Sequence, residues 1–318
     1  MWLRRLTNYL LEHRWLTLAL TFFVTFIPLL YSISIVIAAF ITLRKGVVEG
    51  LLVTVAATLP FALGAFASGN QVASIPLYVW AGVGVAISSN LLTWVFAVML
   101  RRQASWSMIL QVAALLGVLV VSVVHLAYPN VSDWWGVQLQ SYYTQASSAF
   151  SGALKSAPAA AQAAAPAPSD AQLEAINVTK QFATGVFAVG ILVMALLQLI
   201  VAQWWQAKVF NPGSLKRDLH NIRLSQLAGI LFVLSVILSF YGNTVVIDLM
   251  PVVYALFCAA GLSVVHYLFG LMTSPTRWFW LLMFYFTVLF ALPVSGMIIA
   301  IIALSDIWYN IRKRVQKA

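Results

Sequence analysis

Asp248 opens the apolar run Val245 to Gly270, and His125 lies near the end of another, Met108 to Ala127. Polar side chains in such runs are costly to bury in hydrocarbon, so each is a candidate for function. A carboxylate at Asp248 binds a cation or a substrate amine, or serves as an acid favoured at a helix N-terminus. The imidazole of His125 exchanges protons near neutral pH or rests at an interface with no further role. Asn90, in Ser88-Ser89-Asn90, either bonds a substrate or ties one helix to another, and Gln198 and Gln203 carry the same two readings. With the neighbouring aromatics Trp80 and Trp94, the residues Asn90, His125 and Asp248 form the candidate ligand-binding set. His266, near the other end of the Val245 to Gly270 run, suits a helix C-terminal cap or a proton relay.

Catalysis finds no signature. The chain has no Walker lysine loop, no His-Glu-x-x-His and no nucleophile elbow, so it does not read as an enzyme. Its single cysteine, Cys258, supports neither a disulfide framework nor a cysteine metal site, and no cofactor is expected.

The elements that must position these residues are membrane helices. Of 318 residues, 62% are hydrophobic and 8% charged, with a mean hydropathy of +0.94. A soluble domain has about a quarter of its residues charged. The net charge of +10 comes from basic residues at the ends of apolar runs, where orientation and anionic lipid account for them and nucleic acid does not. Six runs are candidates to cross a bilayer, which takes about 20 helical residues. They are Val47 to Phe66, Ile75 to Leu100, Met108 to Ala127, Phe182 to Ala207, the short Gln226 to Tyr241, and Val245 to Gly270. Two more, Leu16 to Leu43 and Trp278 to Leu304, are too long for one span and too short for two, and each holds a proline, Pro28 or Pro293.

Charge chooses between the topologies, because Lys and Arg collect in cytoplasmic loops. With both awkward runs as single spans, the 18 Lys and Arg divide evenly between the two sides. With each run turning back at its proline, all but Lys155 and Lys180 lie inside, along with both termini. Each leg then has roughly 13 to 16 residues, about 20 to 24 Å, against a hydrocarbon core of about 30 Å. The expected fold is therefore all-α and polytopic, with six full spans and two proline-broken terminal hairpins, re-entrant or tilted. Its parts are an N-terminal membrane half (1–127), a non-cytoplasmic insert (128–180) and a C-terminal membrane half (181–318). The insert carries Trp134, Trp135, Tyr142, Tyr143 and Phe150, suited to an aromatic belt, followed by an Ala/Pro-rich linker. Met1 to Arg14 is basic and lacks a small-x-small cleavage pattern, so it reads as a retained anchor.

The segment Ala207 to Ser225, AKVFNPGSLKRDLHNIRLS, is the main basic loop. Asn211-Pro212-Gly213-Ser214 predicts a turn with Ser214 as helix N-cap. Leu215, Leu219 and Ile222 then share one face and Lys216, His220 and Arg223 another, which suits a basic helix lying along a surface. At the end of the chain Asp306, Asn310 and Lys313 have the same spacing. Together Lys216, Arg217, His220, Arg223, Asp306, Asn310 and Lys313 form a candidate cytoplasmic face, either docking the tail to the loop or coupling to a partner. Glu49 is expected to pair with Arg223 or the tail arginines.

Several of these stretches resemble a known family. TLRKGVVEGLL (Thr42 to Leu52), NPGSLKRDLHNIRL (Asn211 to Leu224), Gly261-Leu-Ser-Val-Val-His266 and ALSDIWYNIRKR (Ala303 to Arg314) are similar to the YybS-like family of bacterial membrane proteins. The resemblance covers most of the chain outside Tyr128 to Lys180. That family is grouped with the substrate-binding S components of energy-coupling factor (ECF) transporters, six-helix proteins that bind a small molecule and partner with an energising ATPase module. The resemblance implies an ECF S-component-like bundle in a bacterial inner membrane, a small-solute ligand and such a partner. S components carry an Ala-x-x-x-Ala contact motif in their first helix; here the one in a span is Ala255-Leu-Phe-Cys-Ala259. The alternative function is a non-transporting scaffold that recruits a partner through its basic cytoplasmic face.

Overall fold

A computed structural model describes residues 2–27, 30–67, 77–155, 169–272 and 276–315. All regular structure among them is helical. Pro28, most of the Ala/Pro-rich linker and the last three residues lie outside the described set. The chain forms two compact units, each discontinuous in sequence.

The first unit comprises 1–113, 190–226 and 256–318. Its organising element is α3 (Tyr31–Lys45), in which every residue from Ser34 to Leu43 is buried. An all-round apolar helix needs neighbours on every side. It packs against α2 (Arg14–Thr25), α4 (Val47–Ala67) and α5 (Leu77–Arg101), and Phe40 stacks on Trp205 at 5.0 Å. Gly46, with φ of 129°, breaks the chain between α3 and α4. Four residues on, Gly50 allows α4 to approach Thr42, because a Cβ at position 50 would run into that side chain. The Arg101 guanidinium donates to the Leu43 carbonyl at 2.8 Å and so closes the C-terminus of α3, where a cation is favoured.

α2 has its polarity reversed relative to a helix of a soluble protein. Thr17, Thr21 and Thr25 face inward and return their hydroxyls to carbonyls four residues back, while Trp15 and Phe23 point outward. Burying hydroxyls and exposing aromatics is sensible only against lipid. α1 (Trp2–Glu12) joins this unit through Thr7, whose hydroxyl accepts from Trp205 Nε1 at 2.9 Å.

Among the described residues five helices are long and apolar enough to cross a membrane: α4, α5, α6 (Trp106–Ala127), α9 (Ala183–Phe210) and α12 (Thr244–Leu271). They bury only 28–39% of their apolar windows, so most of that surface requires a non-aqueous surrounding. This is a multi-pass membrane protein. The run Gln226 to Tyr241 forms a shorter helix, α11 (Gln226–Ser239), of 14 residues. Each awkward run forms two helices. Leu16 to Leu43 is divided between α2 and α3, and Trp278 to Leu304 between α13 (Arg277–Phe290) and α14 (Leu292–Tyr309), bent by 120°. Counted as one broken span, α13 and α14 would make a sixth.

The second unit comprises 114–189 and 227–255. It contains α7 (Val131–Lys155), α8 (Asp170–Thr179) and α11 from Leu227 onward, with the adjoining parts of α6, α9 and α12. α8 starts at a capping box in which Ser169 and Gln172 each satisfy the other's backbone amide. Lys180 reaches Asp133 at 3.1 Å and ties the end of α8 to α7. Of the belt aromatics, Trp134 and Tyr142 are exposed, whereas Trp135 turns inward to donate to Thr184 Oγ1 at 2.9 Å.

Candidate functional site

Asp248 is five residues into α12, and its side chain does not cap that helix. Asn243 does, accepting from the amides of Val245 and Val246. The Asp248 carboxylate is 2% exposed and is used in two directions. Oδ1 accepts from the Gly185 amide at 2.7 Å, and Oδ2 lies 2.9 Å from Nε2 of His125, itself 8% exposed. One carboxylate thus joins α6, α9 and α12.

Each contact has a local cause. Gly185 is in the first turn of α9, where amides lack partners inside the helix and the macrodipole favours an anion. A Cβ at position 185 would collide with the Asp248 carbonyl and crowd Pro251, so glycine is required for the approach. Thr184, next in the chain, is held by Trp135. With the carboxylate ionised, the proton of the His125–Asp248 bond sits on Nε2. The pair can hold a negative charge, steadied by the Gly185 amide, or accept a proton and become neutral overall.

The rest of the candidate ligand-binding set belongs to the first unit. Asn90 donates to Thr58 Oγ1 at 3.0 Å, Trp94 Nε1 donates to the Val47 carbonyl at 3.2 Å, and Trp80 meets Phe66 edge-on. Gln198 Oε1 accepts from Thr93 at 2.7 Å. These bonds tie helices together, as polar groups in membrane bundles do. Gln203 accepts from Trp106 Nε1 at 2.8 Å and donates to Asp218 at 2.9 Å, leading from the interior of the unit toward the basic loop. Beside Trp106 and Asp218 opens a cleft of about 250 Å³, also lined by Ser105, Ser107, Arg217 and Asn221.

The loop and tail of the candidate cytoplasmic face meet through two arginines. Arg223 donates to the carbonyls of Asp306 and Ile307 at 3.3 and 2.8 Å, closing the end of α14. Arg312, in α15 (Ile311–Val315), donates in return to the Ile222 carbonyl at 2.7 Å and to Ser263 Oγ at 3.1 Å. Asp306 is buried 3.9 Å from Arg312, whereas Lys216, Arg217 and Lys313 are exposed. Burial and the nearby Lys216, His266 and Arg312 push the His220 imidazole below its ordinary range.

Three sequence expectations change here. Asn310 takes a left-handed φ of 45° and ends α14, so Asp306 and Lys313 are on different helices and share no face. Gly213, left-handed at φ 88°, precedes α10 (Ser214–His220) in the N-cap place expected for Ser214. Glu49 pairs with Arg14 at 3.2 Å instead of Arg223 or the tail. Gly185 and Arg312 escaped the sequence reading. A glycine in the first turn of a span was the available signal for one, and for the other the three consecutive basic residues gave none that separated Arg312 from its neighbours.

Comparison with family models, curated proteins and solved structures finds no match for this chain.

Proposed function

We propose that this chain is a solute-binding transport component of a bacterial inner membrane, similar to ECF S components. Its ligand is a small molecule taken up from the outer side. The observation that carries this reading is the His125–Asp248 pair: two ionisable groups almost fully buried at the ends of apolar helices, where a structural contact alone would be served more cheaply by apolar residues. Asn90, Trp80 and Trp94, in the first unit, are further ligand candidates, with Asn90 exchanging its bond to Thr58 for one to the ligand. In this reading α11 is the sixth crossing, and the α2/α3 and α13/α14 pairs are hairpins that enter and leave on the cytoplasmic side. Both termini are cytoplasmic, and the loop–tail face receives the energising ATPase module.

Equilibrium binding to the purified protein in lipid nanodiscs, across a broad panel of small metabolites, tests the reading. Saturable binding of one chemical class, weakened by Asn90→Ala, is expected. Loss of all binding signal across the panel overturns it.

A second reading has its own support. Lys216, Arg217 and Lys313 are exposed and make no ion pair among the described residues, which suits a scaffold recruiting an acidic partner. Crosslinking from Lys216 and Lys313 in cells separates the two. Capture of an ATPase or its membrane partner supports transport, and capture of an unrelated protein supports the scaffold.

A further inference from the structure

We propose that His125 and Asp248 form a proton-binding site whose occupancy sets how tightly the first turn of α9 is held to α12. Any use of the site in transport rests on the reading above; the site rests on its own geometry. A carboxylate beside a neutral imidazole carries one net negative charge, and burial makes that charge expensive. Adding one proton from the outer-side water to Asp248 leaves the pair neutral and removes that penalty. The opposite state is provided for as well. The Gly185 amide and the N-terminal turn of α9 point at Oδ1 and favour the ionised carboxylate. Both protonation states therefore have structural support, which a site that loads and unloads a proton needs.

The surroundings leave the pair largely to itself. Besides Lys155 at the end of α7, the other charges in the described part of the second unit are Asp133 with Lys180, which pair with each other, and the exposed Asp170 and Glu174 on α8. The first turns of α9 and all of α11 bring no ionisable group. The described tyrosines Tyr128, Tyr142 and Tyr241 are exposed, Tyr143 is half-buried, and Tyr254 rests against Phe232. Among the described residues no group of three or more His, Cys, Asp or Glu side chains is placed to hold a metal ion.

Proton occupancy also has a mechanical output. A protonated Asp248 accepts from Gly185 as a neutral group, and charge-assisted hydrogen bonds are roughly twice as strong as neutral ones. Loading the proton thus loosens the first turn of α9 from α12. A ligand that binds either state preferentially is linked to the proton by the same free energy.

Infrared difference spectroscopy of the full-length protein in nanodiscs, stepped from alkaline to acidic pH, reads the site directly. Of the protonated-carboxyl absorption that grows as the pH falls, one component, separate from those of the exposed acids, is expected to be missing in Asp248→Asn. In His125→Gln the frequency of that component should shift, because the imidazole no longer bonds to the Asp248 carboxyl. Nitrogen-15 spectra of the four histidines give a second readout, with the His125 signal altered in Asp248→Asn. A carboxyl difference spectrum unchanged in Asp248→Asn, or a component at the same frequency in His125→Gln, overturns the proton site. The metabolite panel fails or succeeds separately: a titrating band without any bound solute sinks the transport reading and leaves the site standing.

Discussion

The Gly185 amide donates to Asp248 Oδ1 at 2.7 Å, across 63 positions of sequence, at a place where no side chain fits at residue 185. That contact makes Asp248 an acid at the N-terminus of a helix other than its own. Gly185→Ala should therefore destabilise the protein by about 1–3 kcal/mol, the usual range for forced overpacking. Gly190→Ala, five residues further along α9 with open space around it, should be neutral or slightly stabilising. Thermal unfolding of both variants in detergent compares them, and equal melting temperatures would contradict the packing argument.

Removing one member of the buried pair should cost more than removing both. His125→Leu alone strands a carboxylate in an apolar setting, a loss of about 3–5 kcal/mol. His125→Leu combined with Asp248→Asn leaves no buried charge and should recover part of that loss. A double-mutant cycle by chemical denaturation measures the coupling, and additive effects would mean that the two side chains do not interact.

Arg223 and Arg312 each close the carbonyls of the other's segment, so the loop and tail should loosen together. Arg312→Lys gives up the two bonds that Nη2 makes to Ile222 and Ser263 from a rigid planar group, and Arg223→Lys loses the fork in which Nε and Nη2 span Asp306 and Ile307. Each should cost about 1–3 kcal/mol. Either substitution should also speed thiol labelling at Lys313→Cys in a Cys258→Ser background. Unchanged labelling would show that the arginines do not hold the tail.

Acid should weaken the cytoplasmic side through His220. Its imidazole is held below the ordinary value of about 6.5, first by burial and then by Lys216, His266 and Arg312. The unfolded chain therefore takes up this proton first as the pH falls. The contribution of His220 is fully present above about 6.5 and is lost as the pH drops through the lower folded value. Melting temperature followed between pH 8 and about pH 5 should fall less steeply in His220→Gln than in the parent. Parallel curves would exclude His220 as a source of the acid sensitivity.

The hairpin topology predicts sidedness. Single cysteines at positions 45, 218, 276 and 316, in a Cys258→Ser background, should react only from the cytoplasmic side, and one at position 160 only from outside. A tail labelled from outside would break the arrangement.

Much of this architecture was legible in the chain. Long apolar runs flanked by Lys and Arg have one physical solution, a helix in lipid, so α4, α5, α6, α9 and α12 follow from composition and length. The two awkward runs likewise resolve into two helices each, because their lengths fit neither one span nor two. Asp248 and His125 stood out singly, since ionisable groups in apolar runs are rare. Their pairing did not, because 123 residues separate them and side-chain periodicity reports only the face of one helix. The same limit hid Gly185, whose role depends on a carbonyl and a carboxylate from α12. It also separated Asp306 from Lys313, since a left-handed Asn310 ends a helix that spacing alone would continue. Sequence determined which segments are apolar enough to enter a membrane and which polar groups they carry; tertiary structure decided which of those groups meet, because hydrogen bonding is fixed by distances of a few ångströms that no one-dimensional pattern encodes.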